Sequence, residues 1–179
     1  MAEDRGIEAS LRSVPLLATM LTETAARPEH RELDRLVGTW DVRTRWQVVG
    51  GQPWQHLRGS VENRWILAGR VLESRSSDGD GTEAARVYYA FDPSAGDYVA
   101  ISLTILSTFF VLERGTFDPL GPSIVFEGSE ELPGIAVPIR FHRTVTFVSD
   151  DEHTVGITYP DHLDGTFGGM FIEHKRTGA

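Results

Sequence analysis

From Gly38 onward the chain alternates. Trp40, Val42, Thr44, Trp46 and Val48 fall on one parity, and Asp41, Arg43, Arg45 and Gln47 on the other. A two-residue period places the two sets on opposite faces of an extended strand, which predicts a half-buried strand over 40–48. Gly50, Gly51 and Pro53 close it. Nine more stretches read as strands, at 54–64, 70–75, 84–91, 98–106, 109–116, 123–129, 137–148, 153–159 and 168–176. Turn chemistry separates them at 77–81, 92–96, 118–122, 133–134, 149–152 and 160–165. No helical period lies between strands, which argues against parallel crossovers. The expected fold is all-β: about ten antiparallel strands closed into a barrel, because closure removes the exposed sheet edges.

The first residues follow a different period. Ile7, Leu11, Val14, Leu17 and Leu21 recur at helical spacing, and Pro15 interrupts them. Pro28 then opens a short second helix whose apolar side is Leu33, Leu36 and Val37. The chain therefore divides into an N-terminal helical extension, 1–28, and a barrel domain, 29–179. The run 98–112 is apolar on both of its faces. One face can line the barrel, and the other needs a cover. That cover is the N-terminal helix or a partner subunit in a homodimer. Alternatively, the helix closes the barrel mouth as a lid.

Charge and composition narrow the partners. The formal net charge is −9, which disfavours nucleic acid and anionic lipid. No cysteine is present, so thiol catalysis, zinc–thiolate sites and iron–sulfur clusters are excluded. No run is long enough to span a membrane, and the acidic N-terminus does not read as a secretory signal. The expectation is a cytoplasmic protein without membrane association. Lys175 is the single lysine among 17 basic residues, so some arginines are expected to act as packing elements.

The segment Leu33-Asp34-Arg35-Leu36-Val37-Gly38-Thr39-Trp40 resembles the opening of lipocalin-like proteins, where a short helix leads into a Gly-x-Trp strand. More closely, the chain resembles a bacterial lipocalin-like family classified as a domain of unknown function. The matching residues are Gly38-Thr39-Trp40, the stretch Leu67-Ala68-Gly69-Arg70-Val71-Leu72-Glu73, then Tyr89-Ala90-Phe91-Asp92 with Tyr98, and His174-Lys175-Arg176. The resemblance spans about residues 29 to 176. It departs at His174, where the family often has an aromatic residue, and at 100–103, where the family tends to carry Trp and Asp. The resemblance implies that Trp40 packs under Arg176 and plugs one end of the barrel, a structural role carried by cation–π stacking and guanidinium bonds to carbonyls.

Several residues invite chemistry. Arg143 shares its parity with Ile139, Phe141, Val145 and Phe147. An inward arginine needs a partner: a carboxylate such as Glu73 or Glu113, or a polar group on a ligand. The alternative is a bulge that turns Arg143 outward. Glu73, if inward, would serve as general base, so Arg143 and Glu73 are the catalytic candidates should the protein be an enzyme. Trp46, Trp65, Tyr88, Tyr89, Tyr98, Phe141 and Arg143 are the candidate ligand contacts. The six histidines show no zinc spacing, so no metal site is expected. If haem were bound, His162 or His174 would be the proximal candidates, but no cofactor is expected. Nucleophile elbows, phosphate loops and dinucleotide fingerprints are absent. The leading expectation is binding of a small, largely hydrophobic molecule inside the barrel. A cofactor-free cyclase or isomerase of a polyketide-like intermediate is the alternative, since it needs only a shaped pocket and a few hydrogen bonds.

Overall fold

A computed structural model describes residues 2–49, 51–131, 137–162 and 167–178. Ten strands form one closed antiparallel barrel: β1 (Gly38–Val49), β2 (Gln55–Ile66), β3 (Val71–Asp78), β4 (Glu83–Asp92), β5 (Asp97–Thr104), β6 (Val111–Phe117), β7 (Ser123–Glu130), β8 (Ile139–Phe147), β9 (Glu152–Thr158) and β10 (Phe167–Arg176). Each strand pairs with its sequence neighbours, and β1 pairs with β10 to close the ring. The all-β barrel expected from the alternation is the fold, and the ten strands lie where the period placed them, within a few residues.

Helices α1 (Ala2–Arg12), α2 (Pro15–Glu23) and α3 (Pro28–Glu32) precede the barrel, and a 3₁₀ turn (Leu33–Leu36) leads into β1. Pro15 and Pro28 stand at the first turns of α2 and α3, where the missing N–H is not needed. Only the last part of this segment is anchored. Leu33 and Leu36 are buried beneath the barrel among Leu72, Tyr98, Phe147 and Val155. Burying each leucine contributes roughly 1.5–3 kcal/mol. His30 is buried beside Phe91 and Trp65. Its Nδ1 accepts the Arg27 backbone N–H at 3.0 Å.

The expected cover over 98–112 is not seen. Leu103, Ile105, Leu106, Phe109, Phe110 and Leu112 are exposed, and so are Leu11, Val14, Leu16 and Met20 of the extension. Among the described residues, helix α2 is bonded to the barrel domain by Arg70 Nη2, which donates to the Leu21 carbonyl. The reason is geometric: the plug fixes this segment at the closed end, whereas 105–110 is the hairpin tip at the other end.

Strand parity sets the two barrel surfaces. The outer wall carries Asp41, Arg43, Arg58, Glu62, Arg64, Arg114 and Glu127. Facing inward near the closed end are Leu72, Tyr89, Ala100, Ile124, Phe126 and Val145, all buried. Towards the opposite end, Thr44, Trp46, Ser76, Ala85, Val87, Ile157 and Met170 share the inward parity yet are only half-buried. An inward side chain keeps solvent access only if the barrel is open above it. The barrel thus has a packed base and, above it, a cup-like half whose inward side chains are only partly shielded. No helix among the described residues is long and apolar enough to cross a membrane.

Candidate functional site

Four polar side chains meet inside the barrel, each delivered by a different strand. Tyr89 comes from β4, Ser102 from β5, Glu113 from β6 and Arg143 from β8. Register explains the meeting: Tyr89 and Glu113 both oppose Ala100, Ser102 opposes Val87, and Arg143 opposes Phe126. Small neighbours make room for them. Gly128 opposes both Glu113 and Phe141, and a Cβ there would stand 2.7 Å from the Phe141 ring and 2.9 Å from the Glu113 side chain.

The quartet is tightly bonded. Arg143 Nη2 lies 2.9 Å from Glu113 Oε1. Ser102 Oγ donates to the same carboxylate oxygen at 2.7 Å and accepts from Arg143 Nη2 at 2.8 Å. Arg143 Nη1 reaches the Tyr89 hydroxyl at 3.4 Å. The Glu113 side chain is 0% exposed and that of Arg143 10%. Burial pushes the Glu113 carboxyl up, and the Arg143 charge opposes that rise. Burial likewise raises the Tyr89 hydroxyl.

The ion pair leaves two polar atoms over. Arg143 Nε and Glu113 Oε2 are buried without a partner, as is the Trp46 indole nitrogen higher in the cup. Such groups are rare, because a buried unpaired donor or acceptor costs roughly 1–3 kcal/mol. None of the three has surface open to solvent, and Asn63, Arg75, His153 and His174 hold buried unpartnered atoms of the same kind.

The other predicted site residues distribute by parity. Trp46, Tyr89, Phe141 and Arg143 all face the interior. Trp65 and Tyr98 also face inward, but at the closed end, where they hold the plug: Trp65 Nε1 donates to Asp34 at 2.7 Å and the Tyr98 hydroxyl to the Glu29 carbonyl at 3.0 Å. Glu73 and Tyr88 oppose each other on the outer wall. Leu72 and Ser74 take the inward parity of β3, so the Glu73 carboxylate turns away from the cup and binds Arg64 at 2.9 Å and Arg86 at 3.4 Å. Its burial is due to those two arginines lying over it.

Ser102 was not anticipated from sequence. Its only signal is parity, since it follows Tyr98 and Ala100 on an otherwise apolar inward face. Glu113 was one of two possible partners for Arg143, and it is the one inside.

The closed end uses its polar groups differently. Arg176 lies over Trp40, 4.2 Å from the ring. Its guanidinium donates to the carbonyls of Val37 and Asp150 and to the Asp151 carboxylate. Gly38 permits the approach: its φ is +126°, and a Cβ would meet Arg176 Nη1 at 2.5 Å. Beneath lie His153 and His174, stacked at 4.1 Å, with His153 edge-on to Trp40 at 4.4 Å. Burial depresses both, His153 to about 2 and His174 to about 4. Both rings are therefore neutral packing elements near neutral pH, and His174 is enclosed in the base rather than set beside an open slot. The His162 side chain lies outside the described residues.

A depression of about 330 Å³ also runs along the wall, lined by Asp41, Arg43, Arg58, Glu173 and Lys175. Two acids and three bases line it at the solvent surface, where charge interactions contribute little. The interior quartet holds the stronger chemistry.

Against known proteins, a model for a family of unknown function, DUF1579, matches residues 25–176. Among solved structures, the crystal structure of Rv2717c from M. tuberculosis is similar at TM-score 0.62 and 15% identity, covering 84% of this chain and 98% of that one. A de novo designed fluorescence-activating β-barrel matches at TM-score 0.34 and 17% identity, covering 80% of this chain and 95% of its own. No sequence among the curated proteins matches.

Proposed function

The chain belongs to DUF1579, a family of proteins of unknown function, and we propose that it binds a small, largely hydrophobic molecule in the cup, with the polar end of that molecule turned towards Arg143. One observation carries this reading. Above the buried polar quartet, the inward side chains of Trp46, Val87, Ile157 and Met170 form a mostly apolar wall that is only half-buried. A site of that kind is what small-molecule pockets are made of: apolar walls and a few convergent polar groups.

A neutral fluorescent probe tests it. Nile red should bind the full chain saturably at one site, with a rise in emission. Ala85→Trp places a large ring on the half-buried inward wall without touching the quartet, and should abolish that binding while thermal unfolding stays unchanged. Phe109→Ser with Phe110→Ser removes exposed rings at the hairpin tip and should leave binding intact. Saturable binding that survives Ala85→Trp would defeat the proposal.

Catalysis is the second reading, and the Glu113 carboxyl favours it. A carboxyl whose pKa is raised by burial is suited to exchanging a proton with a bound carbonyl compound. The carboxyl candidate for a cofactor-free cyclase or isomerase is thus Glu113 instead of Glu73. A compound carried through purification and recovered unchanged after incubation supports binding alone. Conversion that Glu113→Gln abolishes, in protein that still binds Nile red, supports catalysis.

A further inference from the structure

We infer that two copies of this chain pair side by side and antiparallel, with the N-terminal helices of each covering the β5–β6 hairpin of the other. The hairpin supplies one half of the contact. Ile101 and Leu112 oppose each other across β5 and β6, and both take the outward parity, because Ser102 and Glu113 face in. Leu103 continues that face towards the tip, where Ile105, Leu106, Phe109 and Phe110 are exposed as well. No charged residue falls between Tyr98 and Leu112. A contiguous exposed apolar patch of this kind marks an association site.

The extension supplies the other half. None of the residues of α2 is buried. Leu16 and Met20, one turn apart on the same side, are 69% and 52% exposed, and Ile7, Leu11 and Val14 are exposed beside them in sequence. From Ser13 to Thr22 there is again no charge. A helix of 9 residues is marginal in water unless an apolar face is packed, so α2 calls for a partner as the hairpin does.

The two halves do not meet within one chain. Arg70 ties Leu21 to the closed end. From there α2 extends about 13 Å, whereas β5 carries the hairpin roughly 25 Å along the wall. A two-fold axis across the wall answers both ends at once. It sets the closed end of one copy beside the hairpin of the other, so each copy gives and receives the same contact. The exposed side chains named above present on the order of 1,000 Å² per chain, against the roughly 800 Å² per partner that a standard interface buries. A lipid surface would cover the hairpin and leave α2 bare, whereas a second copy covers both. The net charge of −9 on each copy opposes the pairing, but the contact itself is uncharged, so salt that screens the repulsion favours the pair.

Sedimentation of the full chain at tens of micromolar reads the association. The parent should run at twice its 19.9 kDa mass. Raising the salt from about 0.05 M to about 0.5 M should lower the dissociation constant at least about threefold. Phe109→Ser with Phe110→Ser, and separately Leu16→Ser with Met20→Ser, should each give a monomer whose barrel still unfolds cooperatively. Cross-linking identifies the surfaces, since the chain has no cysteine of its own. A Met20→Cys chain mixed with a Phe110→Cys chain should be joined by a short bismaleimide in preference to either like pair. A parent that stays monomeric, or a dimer that salt weakens, overturns the inference. So does preferential linkage of Phe110→Cys to itself, which puts hairpin on hairpin, and so does a link within one chain that carries both cysteines. A monomer that floats with phosphatidylcholine vesicles through Phe109 and Phe110 would assign the hairpin to lipid and overturn it as well.

Discussion

Two arginines face into this barrel, and they are used in opposite ways. Arg176 spends its guanidinium on two backbone carbonyls and a carboxylate, with its flat face on Trp40. Arg143 is more deeply buried, yet keeps Nε unpaired against a carboxylate that also has an unpaired oxygen. An arginine whose donors are consumed by fixed main-chain groups is part of the frame. One held only by side chains of other strands belongs to the barrel's inner wall. The closed end should therefore govern stability with little effect on binding, and the quartet should do the reverse.

The sharpest break of that contrast is Trp40→Ala. Trp40 is 0% exposed, donates to the Leu36 carbonyl at 2.8 Å, and lies between Arg176 and His153. Removing it should lower stability by about 3–5 kcal/mol in urea unfolding. The fraction still folded should bind Nile red within about twofold of the parent, since a factor of two is under ~0.5 kcal/mol. A parallel loss of affinity would show that base and cup are not independent.

Arg176→Met comes next. It removes the stacked cation and leaves the Val37 and Asp150 carbonyls without their donor, a loss of about 2 kcal/mol. Gly38→Ala attacks the same joint from the other side, through the positive φ and the close approach to Arg176. Both should lower the melting temperature and leave probe affinity alone.

Acidification separates the two regions by sign. His153 and His174 have folded pKa values depressed to about 2 and about 4, below the ordinary 6.5. The unfolded chain thus binds more protons as pH falls below 6.5. The stability these rings contribute is complete above that value and is lost progressively towards pH 4. Between pH 6.5 and 5.5 the two together should cost about 2 kcal/mol. The Arg176 charge disfavours the protonation of His153 further. Glu113 works the other way: its folded pKa is raised, so protonation favours the folded state in acid. His153→Phe should flatten the acid limb of a stability–pH curve, and an unchanged slope would exclude the histidine pair as its source.

The barrel was legible because alternation is a direct consequence of strand geometry, and in β1 and β8 it runs unbroken from Trp40 to Trp46 and from Ile139 to Phe147. The same rule put Arg143 inside. It gave no answer for β3, where Leu72, Glu73 and Ser74 are all buried and only pairing with β2 and β4 decides that Glu73 faces outward. Trp65 and Tyr98 have the inward parity of ligand contacts, but their height along the barrel depends on strand stagger, which a period of two does not encode. Ser102 and Glu113 meet Arg143 only through the register of four strands. A serine in an apolar run carries no local mark of that.

The smallest expected change in stability is also the most informative. Replacing only Arg143 by Met leaves Glu113 buried without its counter-charge, which is destabilising. Replacing both, as Arg143→Met with Glu113→Leu, removes the two desolvated charges together and substitutes apolar volume in an apolar surround. Buried ion pairs exchanged this way are often neutral or better for stability, so the double variant should unfold within about 1 kcal/mol of the parent. Its Nile red affinity should hold or rise, because the cup has become more apolar. A double variant that loses several kcal/mol would place Arg143 with Arg176 as a part of the frame. One that keeps its stability would show that the ion pair, unlike the Arg176 joint, is no part of the frame.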